Sequence, residues 1–508
     1  MNLRLTALLL LPVSIWAAEF HNGQAARLVI GQPSFSAREA GISVSNLLIS
    51  SNRLYATDAA RHILIFDIAK ISGPQNHLPI VQAASCVVCG FAPIAVSNQP
   101  LLQGSPGVII HGTTVALVDT PNHRVLIWRD TRSSGANQMP DVVLGQSDSS
   151  SVRGSTLVEP ISVTFDGKRL FVGDAALRRV LIWNSLPTVN NQPADAVLGQ
   201  QNFASIETSE VPGADRIHRP TALLSDGANL FVADSVDRRI LVFTAADTPL
   251  PKTAISNSAS LIAGPLAPGT LITITADRLA DGSASAPDDT TQPLRTKLGN
   301  VEVLFDGGPL PLLSVSPAQV RAQIPYALGN VSSSSLYVRT EHSDGHTSTT
   351  SATAVKIVPG NPGLFAFGGT EPRSGLILHS NHNSDGRSGT PVTSENPAQP
   401  GETLILWAAG LGAVNNAGAS TPLAAGVPYA GSNARVITPV SALVSGRSSQ
   451  VISAVLPQGS IGIYEVRVVL PPDLPENPKT QLLIAQEGYV SNRITIPVQR
   501  RIELGVHD

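Results

Sequence analysis

One short phrase recurs four times in the first half of the chain, and it constrains the fold more than any other feature. The phrase is an aspartate, a polar turn, an arginine and an apolar run, as in DTPNHRVLIW beginning at Asp119. The other copies begin at Asp58, Asp174 and Asp234, so the copies are 55 to 61 residues apart. Self-similarity at such a period is typical of architectures built from stacked units.

Each copy is preceded by two apolar runs separated by a turn, and the apolar run at the end of the phrase is the third. Asp166-Gly167 and Asp226-Gly227 predict tight hairpins, because glycine accepts the positive φ that such turns need. A fourth strand is predicted in three units, at 141–146 (DVVLGQ), 195–200 (DAVLGQ) and 78–83 (LPIVQA). The unit is therefore a sheet of four antiparallel strands.

The last unit has no fourth strand after Phe243, but a matching segment stands at the start of the chain. RLVIGQPSF at 27–35 is similar to AVLGQQNF, which ends at Phe203. We therefore expect the N-terminal segment to supply the outer strand of the last sheet, which removes an unpaired edge. Four-stranded units joined in this way predict a four-bladed β-propeller over residues 19–245.

The phrase DTPNHRVLIW resembles the NHL repeat, with Asn122, His123 and Arg124 in the region that gives the repeat its name. The resemblance covers roughly residues 22–245, and it implies an NHL-type β-propeller.

The second half of the chain has a different pattern. A run rich in Thr, Ser, Pro and Ala predicts a linker over 246–260. Beyond it, NPAQPGETLILW echoes IAGPLAPGTLITI, and YEVRVVLP echoes VRAQIPYAL, which indicates a duplicated unit. Short alternating runs predict two immunoglobulin-like β-sandwiches, at 261–358 and 359–500, followed by a tail at 501–508.

Five phrases in this half, from APGTLITI to SNRITIPVQ, resemble the C-terminal domain of secreted acidobacterial proteins of the Solibacter type. The resemblance implies IPT/TIG-like β-sandwich subdomains, and it implies no particular activity or catalytic residues.

The first 18 residues have the pattern of a secretory signal peptide. Arg4 precedes an apolar run from Leu5 to Trp16, and Ala17 and Ala18 supply small residues for cleavage. We therefore expect an exported protein, periplasmic or extracellular, with no membrane span after signal removal. The formal net charge is −3 without a basic cluster, which argues against nucleic acid as a partner.

The two cysteines, Cys86 and Cys89, are predicted to form a local disulfide, because an exported protein meets an oxidising environment. A redox motif, a zinc site and haem attachment are weaker alternatives. Gly90 stands where haem attachment needs histidine, and no further zinc ligands lie nearby.

The repeated aspartates and arginines are the main candidate site. On one propeller face they would form a ring able to bind a polar ligand, but the favoured interpretation is that each aspartate fixes its own turn. These residues are Asp58, Asp119, Asp174 and Asp234, with Arg61, Arg124, Arg179 and Arg239. Four histidines are scattered through the same half without a metal-ligand spacing: His62, His111, His123 and His218.

Two other sequence features have plain structural interpretations. NHNSDG at 381–386 begins like a calcium loop, but Val392 stands where the closing glutamate would be, so a hairpin turn is favoured. Trp128 and Trp183 lie in apolar third strands and are predicted to be core residues.

The sequence thus predicts a non-catalytic binding or scaffold protein without a cofactor or metal. Its expected partner is a protein or polysaccharide of the cell envelope. A metal-dependent propeller enzyme of the lactonase or lyase type is the alternative, and that interpretation rests on fold analogy.

Overall fold

The chain is all-β, as predicted. No α-helix occurs in the ranges that the computed structural model describes, and no helix there is long and apolar enough to cross a membrane. Those ranges are 18–39, 43–50, 53–58, 63–67, 85–88, 107–131, 139–146, 156–287, 292–380, 389–415 and 423–500.

The first half contains sixteen short strands and one 3₁₀ turn. The strands are β1 (Leu28–Ile30), β2 (Val44–Ser50), β3 (Arg53–Asp58), β4 (Ile63–Asp67), β5 (Ser85–Val88), β6 (Val108–His111), β7 (Thr114–Asp119), β8 (Arg124–Trp128), β9 (Val142–Leu144), β10 (Pro160–Phe165), β11 (Leu170–Asp174), β12 (Arg179–Trp183), β13 (Ala196–Leu198), β14 (Pro220–Ser225), β15 (Asn229–Asp234) and β16 (Arg239–Thr244). The 3₁₀ turn, Thr120–Asn122, lies between β7 and β8.

These strands form four antiparallel sheets of four strands each, one for every copy of the sequence phrase. Sheet A is β2–β5, sheet B is β6–β9 and sheet C is β10–β13, each in chain order. Sheet D has the order β14-β15-β16-β1. The predicted Asp-Gly hairpins are present, with Gly167 at φ 94° and Gly227 at φ 92°. In sheet A the fourth strand is β5, whereas the predicted segment 78–83 lies outside the described residues.

The N-terminal strand completes sheet D, which confirms the prediction from the sequence. Strand β1 pairs antiparallel with β16, and Leu28 lies opposite Val242 and Ile30 opposite Ile240. All three residues of β1 are buried. The last sheet therefore joins segments from the two ends of the first half, and its outer edge is covered.

The sheets pack side by side in the order B, C, D, A, through their first strands. A hydroxyl group of one sheet, or of its turn, donates to the backbone carbonyl of the residue that begins the first strand of the next sheet. Thr120 donates to Pro160 (2.6 Å), Ser162 to Pro220 (2.6 Å) and Thr221 to Val44 (3.0 Å). Among the described strands, no packing of comparable extent joins sheet A to sheet B.

The second half contains β17 (Ile255–Asn257), β18 (Leu271–Thr275), β19 (Ala284–Ser285), β20 (Val301–Phe305), β21 (Gly308–Pro309), β22 (Leu312–Ser316), β23 (Gln319–Gln323), β24 (Ser333–Glu341), β25 (Thr347–Thr349), β26 (Thr353–Lys356), β27 (Gly363–Leu364), β28 (Arg373–Ser374), β29 (Ile377–His379), β30 (Thr403–Ala409), β31 (Val414–Asn415), β32 (Ala434–Val436), β33 (Ser441–Val444), β34 (Arg447–Ser449), β35 (Val451–Leu456), β36 (Tyr464–Val469), β37 (Asn477–Gln486), β38 (Tyr489–Val490) and β39 (Ile494–Val498). A second 3₁₀ turn, Lys252–Ala254, precedes β17.

These strands make two β-sandwiches, as predicted. In sandwich 1, a sheet of β17, β18, β23, β22 and β19 packs against a sheet of β21, β20, β24, β25 and β26 around an apolar core. In sandwich 2, the sheet containing β30 and β36 packs against the sheet containing β37 and β39. The range predicted as a linker contributes β17 to sandwich 1.

The two halves share a continuous apolar core. Leu304, Tyr337 and Ala352 of sandwich 1 pack in one cluster with Phe20 and Phe171 of the first half. Backbone hydrogen bonds cross the same contact, including one from Ala25 N to the Ala352 carbonyl at 2.9 Å. Burial of this apolar surface makes sandwich 1 a support for sheets C and D.

Candidate functional site

The repeated aspartate and arginine face each other across a strand pair. The aspartate ends one strand and the arginine begins the next, so the antiparallel register places Asp119 opposite Arg124, Asp174 opposite Arg179 and Asp234 opposite Arg239. An intervening turn of four residues brings the two side chains to the same end of each sheet. We call each such pair an Asp–Arg clasp.

The clasp in sheet D is the most buried of the three. Asp234 Oδ2 accepts from Arg239 Nη2 at 3.1 Å, and neither side chain is exposed. Arg239 also donates to the carbonyls of Phe35 (2.6 Å) and Arg216 (2.9 Å). The backbone amides of His218 and Arg219 donate to Asp234. The clasp therefore ties the turn to the segments on both sides of it.

Sheet C repeats this arrangement with small differences. Asp174 Oδ2 accepts from Arg179 Nη2 at 3.2 Å, and its Oδ1 accepts from the amide of Glu159 at 2.9 Å. Arg179 also donates to the carbonyls of Thr156 and Phe203. Both aspartates thus accept from the arginine across their own turn and from backbone amides just before the first strand of the sheet, so each carboxylate joins its turn to that strand.

Sheet B has a more exposed clasp. Arg124 Nε donates to Asp119 Oδ2 at 2.8 Å, with 15% and 20% of the two side chains exposed. Burial by itself would raise the pKa of Asp119, but hydrogen bonds from Asn122 and Arg124 lower it below its ordinary value. His123, which has a positive φ of 55°, contacts the Val158 carbonyl through Nδ1 (2.5 Å).

The remaining predicted residues are not fully described. Asp58 ends β3 opposite Val44, in the same register as Asp174 and Asp234, but its side chain lies outside the described part. Cys86 lies in β5, also without a described side chain. The predicted disulfide and the hairpin turn favoured at 381–386 therefore stay untested, because the following residues lie outside the described ranges: Arg61, His62, Cys89 and 381–386.

A glycine-glutamine pair braces each clasp, a role that the sequence analysis did not assign. Gln200 follows β13 and donates through Nε2 to the Leu177 carbonyl of the turn at 3.1 Å. Gly199 precedes it with φ 83°, and a Cβ there would lie 2.6 Å from the Arg178 carbonyl. Corresponding glutamines at 32 and 146 donate to the Arg238 and Asn122 carbonyls. The recurrence of LGQ at 144–146 and 198–200 and of IGQ at 30–32 was the signal in the sequence.

Sheet D adds a second carboxylate and a histidine to its clasp. His218 Nδ1 lies 2.6 Å from Asp237 Oδ2, and Arg38 Nη2 lies 2.5 Å from Asp237 Oδ1. Burial would raise the pKa of Asp237, but the hydrogen bond with His218 and the charge of Arg239 lower it to about 2. Burial would lower the pKa of His218, but Asp237 and the Ser209 carbonyl raise it.

His218, Asp234 and Asp237 converge closely enough to resemble a metal-ligand set. However, Arg239 lies 3.1 Å from an oxygen of each carboxylate, and Arg38 occupies the other oxygen of Asp237. Two guanidinium groups neutralise the two carboxylates and occupy the directions that a cation would need. The cluster therefore has the chemistry of a salt-bridged brace, and the donor set does not fit a metal ion.

A loop from 203 to 211 lies over the clasps of sheets C and D. Arg178 donates to the carbonyls of Thr208 and Ser209 and to Glu210, and Arg38 donates to the Glu210 carbonyl. Large apolar side chains are nevertheless exposed on this loop and on the adjoining turns: Val158, Phe203, Ile206, Val211 and Val236. We call this surface the turn face.

No protein-family model matches the chain, and no curated protein is similar to it. Solved structures overlap it weakly. The computationally designed Ika8 protein is 12% identical, with a TM-score of 0.18 over 40% of this chain and 45% of that one. The SGBP-B protein of a Bacteroides ovatus mixed-linkage glucan utilization locus, in complex with a heptasaccharide, is 14% identical (TM-score 0.13; 46% and 44%).

Fibronectin(III)-like modules of Clostridium thermocellum CbhA are 15% identical, with a TM-score of 0.13 over 48% of this chain and 93% of theirs. The chain spans less than half the length of the first two of these proteins. Similarity at this level does not identify a shared function.

Proposed function

We propose that the chain is an exported, non-catalytic binding protein in which sheets A to D are the blades of a propeller. The turn face is its binding surface, and the two Ig-like sandwiches support and space that surface. The partner is a protein or polysaccharide of the cell envelope, and the exposed apolar side chains favour a protein.

The order of the sheets supports a propeller. Sheet D, the last in the chain, packs against sheet A, the first, and one strand of sheet D comes from the N-terminal segment. A hydroxyl group donates to the first residue of the next sheet's first strand between B and C, between C and D and between D and A. A cyclic arrangement places every clasp at the same end of its blade, so the turns share one face.

The anchored loop is the observation that carries the binding proposal. Ile206 is 64% exposed, although its loop is held by Arg178, by Arg38 and by the contact of His218 Nε2 with the Ser209 carbonyl. Apolar groups on a rigid scaffold are suited to protein recognition, because little conformational entropy is lost on binding.

The metal-dependent enzyme is the weaker alternative. It needs a cation near the repeated acids, and the buried acids of sheets C and D are instead paired with arginines. The ion pairs would have to be broken before a metal could bind there.

Co-sedimentation of residues 19–508 with isolated envelopes of the source organism tests the proposal. Ile206→Asp should weaken binding at least tenfold, whereas Ile437→Asp, at a position 62% exposed in sandwich 2, should not. Protease treatment of the envelopes should abolish binding if the partner is a protein and leave it intact if the partner is a polysaccharide. Equal binding by both variants would contradict the turn face, and loss of binding with EDTA would favour the metal-dependent alternative.

A further inference from the structure

Sandwich 2 carries an aromatic groove that neither the sequence analysis nor the turn face involves. The groove has a volume of about 490 Å³ and is open to solvent. Trp407, Phe365, Leu376 and Ile463 line it, together with a turn that includes Gln458 and Ser460. Its size lies in the range of small-ligand sites, roughly 300–1,000 Å³.

The groove is built on the outward side of a sheet. Along β30, Leu404, Leu406 and Ala408 are fully buried in the core of sandwich 2, so the alternation of a strand directs Trp407 to the opposite side. The backbone amide of Phe365 donates to the Trp407 carbonyl at 3.0 Å, which places the two aromatic residues side by side.

The groove lies at the junction of the two sandwiches. Phe365 and Ile463 pack against Ala259 and Leu271 of sandwich 1 and Ala409 of sandwich 2. Junctions between domains are a preferred place for ligand pockets. Trp407 is only partly buried there, although an outward sheet position usually holds a polar residue.

The chemistry of the lining selects for a neutral ligand with polar edges. None of the eight described residues that line the groove is charged. The Trp407 indole N–H and the Gln458 side-chain amide have no hydrogen-bond partner within the described part of the chain. The ligand should therefore present an apolar face to the rings and hydrogen-bonding groups at its rim.

We infer that this groove binds a neutral glycan, with a pyranose ring lying against Trp407 and hydroxyl groups meeting Gln458. A sugar ring has C–H groups on its faces and hydroxyls around its rim, which matches the lining. A protein partner matches less well. A stable protein interface covers about 800 Å² of each partner, which is more surface than the eight residues of the groove provide. The inference is independent of the function proposed for the turn face.

Calorimetry and tryptophan fluorescence with soluble neutral hexasaccharides of the gluco, xylo and manno series test this assignment. At least one should bind residues 19–508 and change the fluorescence. Trp407→Ala should weaken that binding at least tenfold, and Gln458→Ala should weaken it a few-fold. Val490→Ala, at an exposed position of the same sandwich, is the matched control and should bind normally.

Trp407→Phe keeps an aromatic surface and separates binding from folding. It should bind within about threefold of wild type but lose the fluorescence change, since the other mature-chain tryptophans, Trp128 and Trp183, lie in the first half. The assignment is overturned if no hexasaccharide binds wild type, if Trp407→Ala binds normally or if the fluorescence change survives in Trp407→Phe. Dimerisation through this groove without sugar binding would overturn it as well.

Discussion

Arg239 and Asp234 lie 3.1 Å apart in a clasp that solvent does not reach. The corresponding pair in sheet C is nearly as buried, and the pair in sheet B is partly exposed. One interaction therefore occurs in three sheets at graded burial, which allows its contribution to stability to be compared within a single molecule.

The first prediction compares Asp174→Ala with Asp119→Ala. Asp174→Ala leaves Arg179 buried without its carboxylate, so the free energy of unfolding should fall by about 3–5 kcal/mol. Asp119→Ala removes a pair that solvent partly reaches, so the loss should be smaller, about 1 kcal/mol or less. Urea unfolding followed by circular dichroism measures both, and equal losses would contradict the role assigned to burial.

The second prediction concerns Asp306, which burial gives a pKa of about 6, against the ordinary value of 3.8. The pKa of this carboxyl group is higher in the folded state than in the unfolded state. Its contribution to stability is therefore fully present below pH 3.8 and is lost as the pH rises through 6. At pH 8 the free energy of unfolding of Asp306→Asn, measured by urea unfolding, should therefore exceed that of wild type by up to about 3 kcal/mol. At pH 4 the two proteins should have similar free energies of unfolding.

Asparagine is suited to this position because it tolerates the positive φ of 49° and keeps an oxygen for the Ser335 amide. A stability gain of the same size at both pH values would show that charge is not the cause.

The third prediction concerns the His218–Asp237 pair. The raised pKa of His218 means that its contribution is complete below pH 6.5 and is lost as the pH rises past the folded value. The lowered pKa of Asp237, about 2, means that its contribution is complete above pH 3.8 and is lost as the pH falls towards 2. The pair should therefore contribute most between about pH 4 and 6.5.

His218→Gln should reduce the free energy of unfolding by about 1.5–3 kcal/mol at pH 5 and by less at pH 9. Urea midpoints of the variant and of wild type, measured across this range, give the difference. A difference that does not change with pH would mean that histidine acts there only as a neutral hydrogen-bonding group.

The fourth prediction tests the packing of sheet C against sheet D. At Gly173, a Cβ would meet the Ser162 hydroxyl and would lie 2.9 Å from the Pro220 carbonyl. Gly173→Ala should therefore lower stability by about 1–3 kcal/mol through overpacking. Gly282→Ala is the control, because nothing lies within 4 Å of a Cβ there. If both substitutions are neutral, the two sheets are not tightly packed at this point.

Local sequence patterns predicted much of the first half. The repeated phrase and the Asp-Gly hairpins predicted the four sheets, and the likeness of 27–35 to 196–203 predicted the pairing of β1 with β16. These features are local, because a hairpin needs only its turn residues and its alternating strands. The aspartate-arginine pairing followed in the same way from a fixed spacing across one turn.

Contacts between distant segments were not predictable in this way. The loop at 203–211 and the packing of sandwich 1 on sheets C and D depend on residues far apart in the chain. Trp407 shows the same limit, since one tryptophan in an apolar run does not reveal which side of its strand faces solvent. The groove forms only because the fold brings β27, β30 and β36 together, and these strands are far apart in the sequence.

The turns form one binding face only if sheets A and B meet and close the ring. Leu48 on β2 and Ile110 on β6 are partly exposed and suit spin labelling as cysteines, with Cys86 and Cys89 changed to serine. Packed sheets lie about 10 Å apart, so in a closed ring double electron–electron resonance should give a distance between the two labels of about 20 Å or less. A distance centred at about 30 Å or more would show an open stack of sheets and would contradict the propeller.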